Sequence, residues 1–192
     1  MLFLKRGLGI NDQKLTLRRL NQAIQPLATP RLIFRSDKER GIMATTSKHH
    51  QTQWTGQYGV AHEMTRRGHL VTLTLGNAPH ADLLCRSPQG INFSVQVKSL
   101  SSKTYFLLQD NLLTPNPALC FVLVFIPSKA INAVEYFVFN NQQFLDIFKE
   151  EEIRLKEMEL KRGKPYAPFA KGINYGTVNR DEFRNAWNNV PK

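Results

Sequence analysis

Residues 81–98 read ADLLCRSPQGINFSVQVK and decide how this sequence is expected to fold. Residues 81–85 form a short apolar run, and the Pro-Gln-Gly of residues 88–90 is a typical turn sequence. Residues 91–99 then alternate polar and apolar side chains, which is the pattern of a half-buried strand. The segment therefore predicts two antiparallel strands joined by a tight turn.

The longer of these two strands separates its polar from its apolar side chains. Because successive side chains point to opposite faces, the apolar set is expected to enter the core while Ser94, Gln96 and Lys98 share the other face. The preceding strand carries Asp82 among apolar neighbours, and the tight turn places it beside Gln96. An acid, an amide oxygen and a lysine are thus predicted to converge from two neighbouring strands.

Regular elements are also predicted on both sides of this hairpin. Residues 54–68 show helical spacing, with Thr55 as the expected N-cap and Gly68 as the C-cap. Further strands are predicted at residues 69–75, 119–126 and 133–139, with a turn at 76–79. Helices are predicted at residues 141–151, at the highly charged residues 149–164, and at residues 181–188. The order of elements predicts an α/β fold with a mixed central sheet flanked by helices.

The converging side chains are those that hydrolysis of a phosphodiester bond requires. Mg²⁺ prefers oxygen ligands and usually binds through one or two carboxylates together with substrate phosphate. Asp82, the side-chain carbonyl of Gln96 and the main-chain carbonyl of Val97 are candidate ligands. A metal there would acidify a bound water and neutralise charge on the phosphate. Lys98 is a candidate for orienting or deprotonating that water and for stabilising the transition state.

A helix that ends in glycine, a strand, an Asp on the second strand and a Gln-x-Lys on the third resemble the PD-(D/E)xK nuclease superfamily. That superfamily includes restriction-endonuclease-like and Holliday-junction-resolvase-like enzymes. The resemblance covers residues 54–126 and is strongest with small bacterial members that pair a GQY-type helix with DLL and VQVKS. It implies a restriction-endonuclease-like αβββαβ core.

The same resemblance implies a DNA endonuclease that uses Mg²⁺ or Mn²⁺, with Asp82, Gln96 and Lys98 as its catalytic residues. RNA remains open as a substrate, and a homodimer is among the expected assemblies because one site cuts one strand. Three positions depart from the family: Ala81 replaces the usual Pro before the Asp, Gln96 replaces the usual Glu of the motif, and Gln57 replaces the usual helical Glu. Glu63 and Lys103, together with Gln57, are considered accessory residues.

These departures keep two alternative functions open. With Asp82 as the only certain anionic ligand, the chain is alternatively a catalytically decayed nucleic-acid-binding module of the same fold. A purely structural or protein-binding domain is a third interpretation, and it predicts no salt-sensitive binding of DNA. Asp82 would then be a strand-end residue satisfied by amides, and Lys98 an edge-strand lysine.

Composition sets the class of protein but does not choose among these functions. The 192 residues carry a formal net charge of +11, which attracts polyanions such as nucleic acid. Cys85 and Cys120 lie in separate apolar runs without metal-ligand spacing, so both are predicted to be small buried hydrophobes. No apolar run approaches the length of a membrane span, and a cytoplasmic protein without a membrane partner is expected.

The first 42 residues are predicted to lie outside the nuclease-like domain of residues 43–192. They hold nine basic and three acidic residues, so they contribute +6 of the net charge and leave +5 for the remainder. Residues 15–27 are compatible with a short basic helix, which would make this extension a nucleic-acid-binding arm. Alternatively, the codons of residues 38–40 form a ribosome-binding site, and Met43 is the true start of the protein.

Overall fold

The computed structural model describes residues 37–74, 81–129, 132–166 and 171–192, with side chains from residue 48 onward. The chain divides into two units, Met1–Gly41 and Ile42–Lys192. The predicted basic helix at residues 15–27, the turn at residues 76–79 and His80 lie outside the described residues.

A five-stranded mixed sheet forms the centre of the second unit, in the order β1-β2-β3-β5-β6. Strands β1, β2 and β3 form an antiparallel meander, β5 runs parallel to β3, and β6 is antiparallel to β5. Their bounds are Leu70–Leu73, Leu83–Arg86, Asn92–Leu100, Leu119–Phe125 and Glu135–Phe139. All five strands were predicted from the sequence, and the α/β class with a mixed central sheet is confirmed.

The connection between β3 and β5 differs from the αβββαβ expectation. Residues 101–118 contain strand β4 (Tyr105–Leu107) and one 3-10 turn (Asp110–Leu113), where that core would have an α-helix. Strand β4 pairs with β7 (Gly172–Asn174) in a separate two-stranded antiparallel sheet. The sequence analysis missed both strands because three residues are too few to show a period of two.

Helix α1 (Asp37–Thr65) begins well before the predicted N-cap. The prediction for Thr55 is wrong, because its Oγ1 donates to the Gln51 carbonyl at 2.6 Å within the helix and caps nothing. Met43, the proposed domain start, also lies within α1. The end of the helix is as predicted: Gly68 adopts φ 89° and donates to the Thr65 carbonyl at 2.9 Å.

The charged residues after β6 form a single helix, α2 (Asn141–Arg162), in place of the two overlapping helices expected. Asn140 and Gln143 close its first turn as a capping box, and Gly163 ends it at φ 71°. A short helix, α3 (Tyr175–Val178), follows β7. The predicted helix at residues 181–188 is wrong: those residues form turns, a bridge and the start of a 3-10 turn at Trp187–Asn189.

Two hydrophobic clusters line the two faces of the sheet, because each buried strand sends alternate side chains to opposite sides. Val60 and Met64 of α1 belong to the cluster that contains Val95, Val97, Val122 and Val124. The other cluster joins the phenylalanines of β5 and β6 to α2, where the Phe121 and Phe144 rings stack 3.6 Å apart. Helix α1 thus packs on the face of the sheet to which β3 contributes Val95 and Val97.

Both cysteines are free and buried, as predicted, and burial raises the pKa of each thiol to about 12. Within the described ranges, no helix has both the length and the apolar character needed to cross a membrane.

Candidate active site between α1, β2 and β3

Asp82 immediately precedes β2, at the point where the β2–β3 ladder ends. Its backbone N–H donates to the Val95 carbonyl at 2.9 Å, and its own carbonyl accepts from the Thr74 N–H at 3.0 Å. The Thr74 hydroxyl also donates to Ala81 and Asp82 carbonyls, at 2.7 and 3.1 Å. Main-chain and side-chain bonds on both sides therefore fix the Asp82 backbone and aim its carboxylate along β3.

Three N–H donors from two elements meet at the Asp82 carboxylate. Gln57 of α1 donates from Nε2 to Oδ1 at 2.6 Å, and the Val97 N–H donates to Oδ2 at 2.7 Å. Gln96 Nε2 makes a short hydrogen bond to the same Oδ2. Gln57 and Gln96 are both buried. The sequence prediction that Asp82 and Gln96 lie side by side is thus correct.

The end of the Gln96 side chain lies between two oxygens. Its Nε2 donates to Asp82 and also lies 3.4 Å from the Val97 carbonyl. This point therefore favours positive charge, because a carboxylate and a main-chain carbonyl face it together. The three oxygen-bearing groups expected to hold a metal, from Asp82, Gln96 and Val97, do converge here.

Lys98 is half-buried two residues further along β3 and interacts electrostatically with Asp82. Burial lowers the pKa of the Lys98 ammonium, and the Asp82 charge partly opposes that shift. Burial raises the pKa of the Asp82 carboxyl, against the opposing effects of the Val97 N–H, the Lys98 charge and Gln57. Each group therefore favours the charged form of the other in a partly desolvated setting.

The oxygen atoms of Asp82, Gln96 and Val97 are of the type that Mg²⁺ prefers as ligands. They are hard oxygens from a carboxylate, an amide and a carbonyl, which Mg²⁺ supplements with water and substrate phosphate. The described residues contain no group of three or more His, Cys, Asp and Glu placed to bind a metal. Binding would thus depend on one carboxylate whose charge Lys98 offsets. Gln96 would present its carbonyl only after its amide turns over, since Nε2 now faces Asp82.

The other two predicted accessory residues have different partners. Glu63 forms ion pairs with Arg66 at 3.1 Å and with Arg67, both in the turn that follows α1, and its carboxylate lies 3.5 Å from His62 Nδ1. Lys103 is exposed, and its Nζ lies 5.4 Å from the Phe125 ring centroid and 4.9 Å from that of Tyr175. Neither side chain has a hydrogen bond or ion pair to Asp82 among those recorded for the described residues.

The sequence analysis missed Thr74, which positions the Asp82 backbone, and a row of hydroxyl side chains that follows Lys98. The signal for the second was visible, because residues 99–104 read SLSSKT. Serine and threonine residues are also common in ordinary exposed turns, so this run by itself does not indicate a site.

Comparison with known proteins finds no match: no protein-family model, curated protein or solved structure is similar to this chain.

Proposed function

We propose that this protein is a metal-dependent nuclease that hydrolyses phosphodiester bonds in DNA. The observation that supports this proposal is the meeting of Asp82, Gln96 and the Val97 carbonyl at one point, with Lys98 beside them. A restriction-endonuclease-like origin of the sheet belongs to the same proposal. The order β1-β2-β3-β5, with its antiparallel meander and parallel fourth neighbour, agrees with it, although a 3-10 turn replaces the expected crossover helix.

In this proposal each residue has a separate task. Asp82, Gln96 and the Val97 carbonyl would hold Mg²⁺ or Mn²⁺, which supplies an acidified water and neutralises charge on the phosphate. Gln57 holds one carboxylate oxygen of Asp82 and so fixes the direction of the other. Lys98 orients the attacking water and stabilises charge that develops on the phosphate, and its half-buried position strengthens that interaction.

A second candidate function is a nucleic-acid-binding module that does not cleave. The observation that favours it is that both oxygens of Asp82 accept N–H donors, three in all. A carboxylate satisfied in this way is also what a purely structural polar network would contain. The two candidates share the fold and the charge and differ only in whether a metal replaces one of these donors.

Cleavage of plasmid and branched DNA by the full chain, with Mg²⁺, with Mn²⁺ and with EDTA, separates the candidates. We expect metal-dependent nicking that falls by about 100-fold or more in Asp82→Asn and Lys98→Ala. Lys149→Ala is the matched control, because Lys149 is an exposed lysine of α2 whose ion pair among the described residues is with Asp146, at 3.8 Å. It should leave nicking unchanged.

Gln96→Glu adds a decisive arm to this experiment. A second carboxylate at this position should lower the metal concentration needed for cleavage, and Mg²⁺ should raise the melting temperature of the variant more than that of the parent. If the parent and Gln96→Glu both bind DNA in a salt-sensitive way and neither nicks it, the nuclease is rejected and the binding module is supported. Absence of both nicking and salt-sensitive binding would overturn both candidates.

A further inference from the structure

A cleft of about 380 Å³ lies beside Lys98, between α1 and the segment that follows β3. His49 and Thr52 line it from α1, and Lys98 lines it from β3. The cleft therefore begins at a residue of the proposed active site and extends away from Asp82 toward β4. The sequence analysis assigned a role to Lys98 but to none of the other residues that line this cleft.

The polar lining of the cleft is rich in hydroxyl groups. The segment after Lys98 contributes hydroxyls from Ser99, Ser101, Ser102 and Thr104, and none of the described residues lining the cleft is acidic. Hydroxyls and lysine ammonium groups are donors to phosphate oxygens, and they bind the backbone of a nucleic acid without reading its sequence. An anionic polymer is also what a net charge of +11 attracts.

The hydroxyls on the rim of the cleft are held only weakly by the protein. Ser102 and Thr104 lie within one short turn, with the Thr104 N–H donating to the Ser102 carbonyl at 2.8 Å. Their two hydroxyls are exposed and lie 3.5 Å apart, at the limit of a hydrogen bond. Both can therefore turn toward a ligand at little cost in existing bonds.

The hydroxyl of Ser99 is the deeper feature of the same segment. It is shielded from solvent and has no hydrogen-bond partner among the described residues. A polar atom in this position costs free energy unless a partner is supplied, and groups of this kind are often found at binding sites. Ser99 lines the same cleft as Lys98, and its hydroxyl lies against Gly56, where α1 forms one wall of the cleft.

We propose that this cleft binds the phosphodiester backbone of the nucleic-acid strand, on one side of the phosphate that Lys98 contacts. The proposal rests on the proposed function, since Lys98 is shared between the two. It adds the path by which the strand leaves the active site, and it assigns phosphate-binding roles to Ser102 and Thr104.

Binding of fluorescein-labelled single-stranded and duplex DNA to the full chain, measured by anisotropy in EDTA, tests the cleft without any cleavage. Ser102→Glu places a carboxylate at the rim, and we expect it to weaken binding about tenfold or more through repulsion of phosphate. Thr114→Glu is the matched control: Thr114 is an exposed hydroxyl residue outside the cleft, and the substitution makes the same change in net charge. It should weaken binding by no more than about twofold.

Two further arms make the result specific to a polymer backbone. Ser102→Ala, which removes only the hydroxyl, should weaken binding by about twofold to threefold. Inorganic phosphate at constant ionic strength should displace DNA only slightly, because the polymer makes several contacts at once. Strong displacement would identify a free phosphate site and overturn the proposal. Equal losses in Ser102→Glu and Thr114→Glu would overturn it as well.

Failure of the cleft and failure of the nuclease give different patterns. If nicking occurs and Ser102→Glu changes neither nicking nor binding, the nuclease remains and the cleft proposal is wrong. If no metal supports nicking and Ser102→Glu still weakens binding selectively, the cleft remains as the surface of a binding module. Unchanged melting temperatures of both glutamate variants would show that neither result comes from unfolding.

Discussion

Asp82 accepts three hydrogen bonds and is also the proposed metal ligand, and a substitution that keeps its shape separates these two roles. Asp82→Ala would leave the buried donors of Gln57, Gln96 and Val97 without their acceptor. Each buried donor left unpaired costs about 1–3 kcal/mol. Asp82→Asn keeps an oxygen for Val97 and Gln96, and Gln57 can turn its amide to accept. We therefore expect Asp82→Ala to melt several degrees below Asp82→Asn, at about 2–4 °C per kcal/mol for a chain of this size.

The pH dependence of the melting temperature, compared between the parent and Asp82→Asn, tests the direction in which the Asp82 pKa is shifted. Burial raises the pKa of this carboxyl, so the folded protein holds the proton more tightly than the unfolded chain does. Its contribution therefore lowers stability as pH rises from about 4, the ordinary range of Asp, through the folded pKa. Asp82→Asn lacks this contribution. Its melting temperature should therefore rise relative to that of the parent between about pH 4 and neutrality. A melting temperature of Asp82→Asn that falls relative to that of the parent as pH rises would contradict the assignment.

At the scale of single residues, the sequence predicted what two short-range rules determine. Alternation along β3 and a tight turn before it were enough to place Gln96 beside Asp82, and the structure shows that contact. Gln57 joins the same network through α1, which a resemblance of motifs anticipated. Glu63, six residues further along the helix, instead pairs with Arg66 and Arg67 just after the helix ends, because its position on α1 differs from that of Gln57.

At the scale of elements, Gly56 sets how closely α1 approaches β3. A Cβ on Gly56 would overlap Ser99 Oγ and lie 3.0 Å from Ser99 Cβ and 3.6 Å from Val97 Cγ1. Gly56→Ala should therefore destabilise the protein by about 1–3 kcal/mol through overpacking, despite the gain in helix propensity. Adding Ser99→Ala removes the overlapping oxygen and should recover part of that loss. Urea denaturation of both single variants and the double variant measures this coupling.

Two results for the Gly56→Ala and Ser99→Ala variants would contradict this prediction. If Gly56→Ala is neutral or stabilising, α1 does not lie against β3 as described, and the placement of Gln57 beside Asp82 loses its support. If the double variant only adds the two single effects, the overlap with Ser99 is not the cause of the loss. Gly163→Ala is a poor control, since the positive φ of Gly163 would strain the substitution by itself.

Elements were predictable where their pattern was long, and not where it was short or set by distant contacts. The seven-residue strand β5 is apolar throughout and was recognised, whereas β4 and β7 have three residues each and were missed. Residues 181–188 have helical composition, yet Arg184 forms a bridge with Phe137 of β6 and Trp187 packs into the core. Tertiary packing thus overrode local preference in this segment.

At the scale of the whole molecule, positive charge and the proposed chemistry lie in different parts of the sequence. Residues 1–36 contain seven basic residues and one acidic residue, a net +6, which leaves +5 for residues 37–192. Every residue of the proposed active site and of the cleft lies in the second part. Deleting the first part therefore measures its electrostatic contribution to nucleic-acid binding while leaving the proposed active site and the cleft in place.

Deletion of residues 1–36 should weaken DNA binding and reduce its dependence on salt, while the ratio between Ser102→Glu and parent affinities stays the same. Each phosphate contact contributes about 0.9 to the slope of log affinity against log salt for duplex DNA. Loss of up to seven cations would therefore reduce the magnitude of that slope by up to about 6. Anisotropy titrations of the full and shortened chains over a range of salt concentrations measure both quantities. Equal slopes would show that residues 1–36 do not contact DNA.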